Sequence, residues 1–290
     1  MMELWPNFFI VGAPRSGTTS LYEYLKDVPE VFMSPVKEPN YFNPSVDDDL
    51  FLSKPIRGKK YLELFKNVKD EKVIGEASPT YLWDPKTPKL IHGIVPHAGI
   101  IISLRDPIER AFSEYLFLLG LGSEKGSFLE IIKRSIRDED YSSNRIIQNG
   151  LYFEQVKRYL DIFGPNQIKI LIFEEFVQDT WISVKEVLQF LDINHEPPTS
   201  VKKIHNAFTL PRSKMASAIV KNKVLRKMGK TLIPIDGLSS LRKILTKETP
   251  KPIMTNEEKS SLKEFYHNDV RKLEKLLNRQ FPWQITEENS

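Results

Sequence analysis

Unbroken apolar runs alternate along this chain with segments whose apolar positions recur every three or four residues. Residues 8–11, 31–33, 72–75, 99–104 and 168–173 are the runs, each of a length that suits a strand buried on both faces. Helical spacing predicts helices over 18–26, 59–65, 85–95, 128–137, 151–163 and 181–191. Another helix starts at Pro107: Asp106 is a good N-cap, proline suits the first helical position, and Glu109 stands three residues after the cap. Strands alternating with helices from residue 7 to 191 predict a three-layer α/β sandwich, a parallel sheet with helices on both faces. From residue 194 no strand pattern recurs. A proline-rich link and HNAFTLPRSK lead to basic helical stretches over 215–228 and 238–245. The last helix spans 256–278, with Leu262, Phe265, Val270, Leu273 and Leu277 as its packing stripe. One domain is expected over 1–290, with the α/β core in 1–193 and a basic, mainly helical C-terminal part in 194–290. No repeat or low-complexity segment marks a second.

The first strand, a turn and the first helix fall together in NFFIVGAPRSGTTSLYEYLK, residues 7–26. Gly12, Ala13, Pro14 and Gly17 make the turn. Such a loop aims several backbone N–H groups into one concavity at a helix N-terminus, whose partial positive charge adds to theirs. The expected guest is a phosphate or similar oxyanion, and the fold is P-loop-like. Gly12 and Gly17 have the spacing of a phosphate loop, but Thr18 stands where an NTPase carries lysine, and Arg15 is the cation inside the loop. Without the lysine that reaches the β- and γ-phosphates, ATP or GTP hydrolysis is disfavoured. A nucleotide lacking a γ-phosphate still fits.

Two further stretches carry chemistry. The run over 99–104 ends in Arg105, and Ser113 lies in the second turn of the helix that follows. A guanidinium fork and a hydroxyl from those elements suit a phosphate; a structural arginine paired with a local acid is the other reading. Between Pro35 and Pro39, Lys37 and Glu38 sit on a segment that the prolines hold extended. Glu38 is either a surface acid, which its local sequence favours, or a general base beside the phosphate loop. Residues 76–81, EASPTY, form a polar turn at the C-terminal end of a strand, the edge where open α/β sheets bind ligands.

Composition narrows the classes. Of 290 residues, 40% are hydrophobic and 28% charged, and no apolar run approaches the roughly 18 residues that span a bilayer. Glu3 stands where a signal peptide wants a positive charge, so the hydrophobic start reads as the first strand. With no cysteine, disulfides and thiolate zinc sites are excluded and the cytoplasm is the default location. His92 and His97 are five apart, outside the pairing of a helical zinc motif, and no metal is expected. The net charge of +4 is unevenly placed: residues 201–251 hold ten lysines and three arginines against Asp236 and Glu248, so the rest of the chain is net acidic. That stretch is either a solvated basic face or a dock for an acidic carrier protein or a membrane surface. No nucleic-acid partner is predicted.

With PRSGTTSL at 14–21 and LRDPIERAFSEY at 104–115, the chain resembles the sulfotransferases that use 3′-phosphoadenosine 5′-phosphosulfate. The likeness is greatest to bacterial members related to the heparan sulfate sulfotransferase domains. KEPNYF, GEASPTYL, NGLYFEQVKRYLDIFG and FYHNDVRKLEKLLNRQFPW extend it to the last helix. The resemblance implies that Arg15, Ser16, Gly17, Thr18 and Thr19 hold the 5′-phosphosulfate and that Arg105 and Ser113 hold the 3′-phosphate. It makes Glu38 the general base, reversing the local reading, with Lys37, Asn40 and Tyr41 on the acceptor side. Gly150 and Tyr152 match a segment that touches the donor nucleotide, and Arg212 and Lys214 fall where a late basic loop closes over it. The chain also departs from the pattern. Arg15 replaces the lysine of many relatives, a fork in place of a point charge. Asn40 and Ala77 replace the histidine and lysine of the glycosaminoglycan enzymes, which argues against a heparan-like acceptor.

The activity so implied moves a sulfuryl group to an acceptor hydroxyl, less readily an amine, of a small molecule, lipid, polyketide or carbohydrate. Adenosine 3′,5′-bisphosphate is the product. One rival is a small-molecule kinase, which needs Mg²⁺ and ATP and misses its lysine at Thr18. The other is a non-catalytic module that binds a nucleotide or an anionic surface without turnover.

Overall fold

The computed structural model describes residues 3–46, 55–121, 123–124, 126–137, 145–202, 210–211, 246–247, 252–283 and 285. Five strands, β1 (Phe8–Gly12), β2 (Val31–Met33), β3 (Val73–Ala77), β4 (Gly99–Leu104) and β5 (Ile168–Ile172), form a parallel sheet in the order β2-β3-β1-β4-β5. The described helices are α1 (Thr18–Lys26), α2 (Lys59–Leu62), α3 (Thr87–Ile94), α4 (Pro107–Leu121), α5 (Phe128–Arg137), α6 (Arg145–Gln148), α7 (Tyr152–Phe163), α8 (Phe173–Gln178), α9 (Thr180–Phe190) and α10 (Asn256–Leu277). The alternation expected over residues 7–191 is therefore the one found.

Every residue of β1 is buried, which fits a central strand covered on both faces. Phe8, Ile10, Ala77 and Ile101 pack on one face against Leu21 and Leu25 of α1, Phe176 of α8 and Val184 and Leu188 of α9. Burying each of these side chains other than Ala77 contributes about 1.5–3 kcal/mol. Strand alternation turns Phe9, Ile100 and Ile102 to the opposite face, where Phe42 meets Phe9 edge-on and α7 packs on β5 and α3. Because all five strands run one way, their carboxyl ends share one edge, and the loops after β1, β2, β3 and β4 gather there.

The chain divides into two compact units. The first combines Met1–Arg110, Asn149–His205 and Tyr266–Ser290, and holds the sheet. The second combines Ala111–Gln148 and Asn206–Phe265; within it Phe112, Tyr115 and Phe128 stack together and Lys133 pairs with Glu257 at 2.9 Å. One expectation for the C-terminal part is corrected: β6 (Leu210–Pro211) and β7 (Thr246–Lys247) pair antiparallel. Two residues are too few to leave a period-two pattern in sequence. The helices expected over 215–228 and 238–245, with Arg212, Lys214 and most of the basic stretch, lie outside the described residues. Among the described residues no helix is long and apolar enough to cross a membrane.

Candidate active site

The loop after β1 enters α1 with the geometry its sequence predicts. Gly17 has φ 81° and is the N-cap of α1 without a side-chain cap, so the first N–H groups of a nine-residue helix are not taken by a capping side chain. A Cβ on Gly17 would meet the Phe173 ring at 2.9 Å, so glycine is required both for the backbone turn and for the close approach. The loop is fastened to β4: Ala13 N–H donates to the Ser103 carbonyl at 2.6 Å, and Ser103 Oγ donates to the Ser16 carbonyl at 2.5 Å. Ser16 Oγ is buried with no hydrogen-bond partner among the described residues.

Arg105, at the end of β4, reaches this loop. Its Nη1 donates to the Arg15 carbonyl at 3.2 Å, its guanidinium lies 4.7 Å from the centre of the Phe173 ring, and Nη2 is 3.8 Å from Glu109. Burial lowers its pKa, with Glu109 and Glu174 opposing the shift. Arg105 Nε is buried without a partner among the described residues. Two orphaned polar atoms beside uncapped helix N–H groups fit an anion that brings oxygen acceptors to this corner.

Asp106 caps α4 as expected, accepting from the Ile108 N–H at 2.8 Å. Glu109 does not complete the box; the Asp106 N–H donates instead to Glu174 of α8 at 3.0 Å, and Glu174 also accepts from Trp283 Nε1 at 3.0 Å. Burial raises the Asp106 carboxyl to about 6. Ser113 is half-buried on α4, in the second compact unit.

Tyr152 lies behind Arg105. Its ring is fully buried and its hydroxyl donates to the Arg105 carbonyl at 3.0 Å, which fixes the backbone at the end of β4. The N-terminus of α7 has Leu151 at the cap, which offers no side-chain acceptor; Asp269 of α10 accepts the Tyr152 N–H at 2.7 Å and the Phe153 N–H at 3.2 Å. Burial raises the Asp269 carboxyl to about 6, with the two backbone N–H groups opposing. A Cβ on Gly150 would meet Tyr266 Oη at 2.9 Å and Pro107 at 3.0 Å, so Gly150 is there for close packing. Asp269→Ala is expected to cost about 1–2 kcal/mol, the range for losing a helix cap, measured by urea unfolding.

The loop after β2 carries Glu38. Five described non-glycine residues have positive φ, and three of them are Arg15 (67°), Glu38 (63°) and Asn40 (51°). Such conformations cost about 1–3 kcal/mol each and persist where their surroundings impose them. Here the Glu38 N–H donates to the Ala77 carbonyl at 2.9 Å, at the end of the strand beside β1. Asn40 is fully buried: its Nδ2 donates to the Glu38 carbonyl at 3.0 Å and its Oδ1 accepts from Thr80 at 2.7 Å. Through these bonds Asn40 helps to hold the loop. Tyr41 stacks on Tyr61 with ring centres 4.1 Å apart. The Lys37 ammonium pairs with the Glu38 carboxylate, whose residue is partly exposed.

Sequence reasoning missed the residues that grip this loop from a distance. Arg57 donates to the carbonyls of Asn40 at 3.2 Å and Asn43 at 2.8 Å, and also to that of Tyr41. Ser78 Oγ accepts the Asn40 N–H and Tyr81 Oη the Phe42 N–H, both at 3.1 Å. The EASPTY turn was the available signal, and it pointed to a ligand edge rather than to a clamp.

A nucleotide-type anion loop at the carboxyl edge of a parallel sheet, flanked by an arginine and a carboxylate, defines an α/β nucleotide-binding class. The family model for the sulfotransferase domain matches residues 6–276, and the chain belongs to that family. Human carbohydrate sulfotransferase 15 is 27% identical over 245 residues, 65% of this chain and 44% of the relative. The chain thus spans about half the length of the curated relatives it matches. The crystal structure of a sulfotransferase from Alicyclobacillus acidocaldarius is 30% identical, covering 96% of this chain and 98% of that one, with a TM-score of 0.71. Mouse sulfotransferase SULT7A1 complexed with PAP shares the fold at 16% identity and a TM-score of 0.53, covering 94% of this chain and 87% of that one.

Proposed function

We propose that this chain transfers the sulfuryl group of 3′-phosphoadenosine 5′-phosphosulfate to an acceptor hydroxyl, with Glu38 as general base. The observation that carries the reading is the Arg105–Arg15 link at 3.2 Å, which ties a buried arginine to the anion loop beside the strained Glu38 loop. When bound, the donor supplies an electrophilic sulfur with a phosphate as its leaving group. Arg15 and the N–H groups of residues 17–19 stabilise negative charge at the loop, and Arg105 neutralises a second phosphate. Glu38 takes the proton of the acceptor hydroxyl as oxygen attacks, and Lys37 keeps the carboxylate oriented. Relatives named as carbohydrate sulfotransferases put sugar hydroxyls first among acceptors. A cysteine-free chain suits a reducing compartment, and we place the protein in the cytoplasm.

Calorimetric binding of adenosine 3′,5′-bisphosphate, set against ADP with Mg²⁺, tests the reading before an acceptor is found. Tight binding of the bisphosphate is expected without metal. A preference for ADP with Mg²⁺ would overturn it in favour of a kinase.

A further inference from the structure

The carboxyl of Glu76 is a buried titratable group to which the reaction above gives no task. It stands on β3 opposite Phe9 of β1, fully buried. Neither of its oxygens has a partner in full hydrogen-bond geometry among the described residues, and the Tyr61 hydroxyl is in the same condition. The titratable groups that face it are Tyr81 from the turn after β3, Tyr61 from α2 and Tyr159 from α7. The hydroxyls near enough to offer it hydrogen bonds are those of Tyr81 and Ser78.

These same two hydroxyls accept the N–H groups of Phe42 and Asn40, two anchors of the loop that carries Glu38. A hydroxyl that accepts one N–H still has its own proton and a second lone pair to place. In this buried site the Ser78 and Tyr81 hydroxyls can meet each other as well as Glu76, and the carboxyl biases which way each hydroxyl turns its acceptor lone pair. We propose that Glu76 is a positioning residue: through Ser78 and Tyr81 it fixes the backbone of Asn40 and Phe42, and with it the aim of Glu38. The functional half of this inference rests on the reading of Glu38 as base; the anchoring half stands by itself.

Burial raises the Glu76 carboxyl to about 8, so at pH 7 it is neutral, with one donor and one acceptor. Glutamine keeps an acceptor and a donor and adds one further N–H, whereas leucine fills similar volume and offers neither. In hydrogen-exchange measurements on the full chain, Glu76→Leu is expected to speed exchange of the Asn40 and Phe42 amides at least tenfold, leaving amides of β1 and β4 at the wild-type rate. Glu76→Gln is expected to restore protection. Should Glu76→Leu not fold, Glu76→Met replaces it. With a methyl glycoside as acceptor probe at saturating donor, Glu76→Leu is expected to lose about tenfold in kcat with bisphosphate affinity unchanged. Wild-type exchange at both amides in the apolar variant overturns the inference. Fast exchange there, combined with full turnover by Glu38→Gln, would instead keep the anchor and remove Glu38 as base.

Discussion

Replacing Glu38 by glutamine is expected to lower turnover by about 10²–10⁴-fold and to leave affinity for adenosine 3′,5′-bisphosphate unchanged. Glutamine keeps the length of the side chain and can still accept from Lys37, and the backbone contacts of residue 38 are unaffected: the N–H to Ala77 at 2.9 Å and the carbonyl from Asn40 at 3.0 Å. The left-handed φ of 63° is imposed by those contacts and by Arg57 and Ser78 on the neighbouring residues, so the substitution does not release it. What disappears is the capacity to take a proton. The loss therefore falls on kcat in a single-turnover assay with donor saturating. Undiminished turnover would remove Glu38 from the reaction, and a parallel fall in nucleotide affinity would mean that the loop had moved instead.

The parts of this site that are legible in sequence are those whose partners are close along the chain. The strand of β1, the turn at Gly17 and the helix α1 occupy consecutive residues, so period, glycine and helix start can be read together. The same holds for β4 running into the Asp106 cap of α4. The surroundings of Asn40 are illegible for the opposite reason. Its side chain answers to Thr80, 40 positions away, and its backbone to Ser78, contacts that exist only once β2 and β3 are paired. The Tyr152 hydroxyl likewise answers to the carbonyl of Arg105, 47 positions earlier. The missing cap at Leu151 was a faint local sign that α7 is completed from elsewhere, and the sequence offers no way to name Asp269 as the source.

Arg105→Ala is expected to weaken binding of adenosine 3′,5′-bisphosphate by roughly 30- to 150-fold, about 2–3 kcal/mol, the range for losing a charge-assisted hydrogen-bonding pair. The residue is held from four sides. Tyr152 takes its carbonyl, the Arg15 carbonyl takes Nη1, the Phe173 ring lies against the guanidinium, and Glu109 stands at 3.8 Å. A fork arranged in this way loses little freedom on binding, so most of its attraction for a phosphate appears as affinity. Phe173 also closes on Gly17, so truncating Arg105 removes the charge while the ring still supports the loop. Binding of ADP lacks the 3′-phosphate and is expected to change far less, and that contrast assigns the contact. An equal loss for both nucleotides would mean that Arg105 shapes the 5′-phosphate loop through Arg15 rather than meeting a second phosphate.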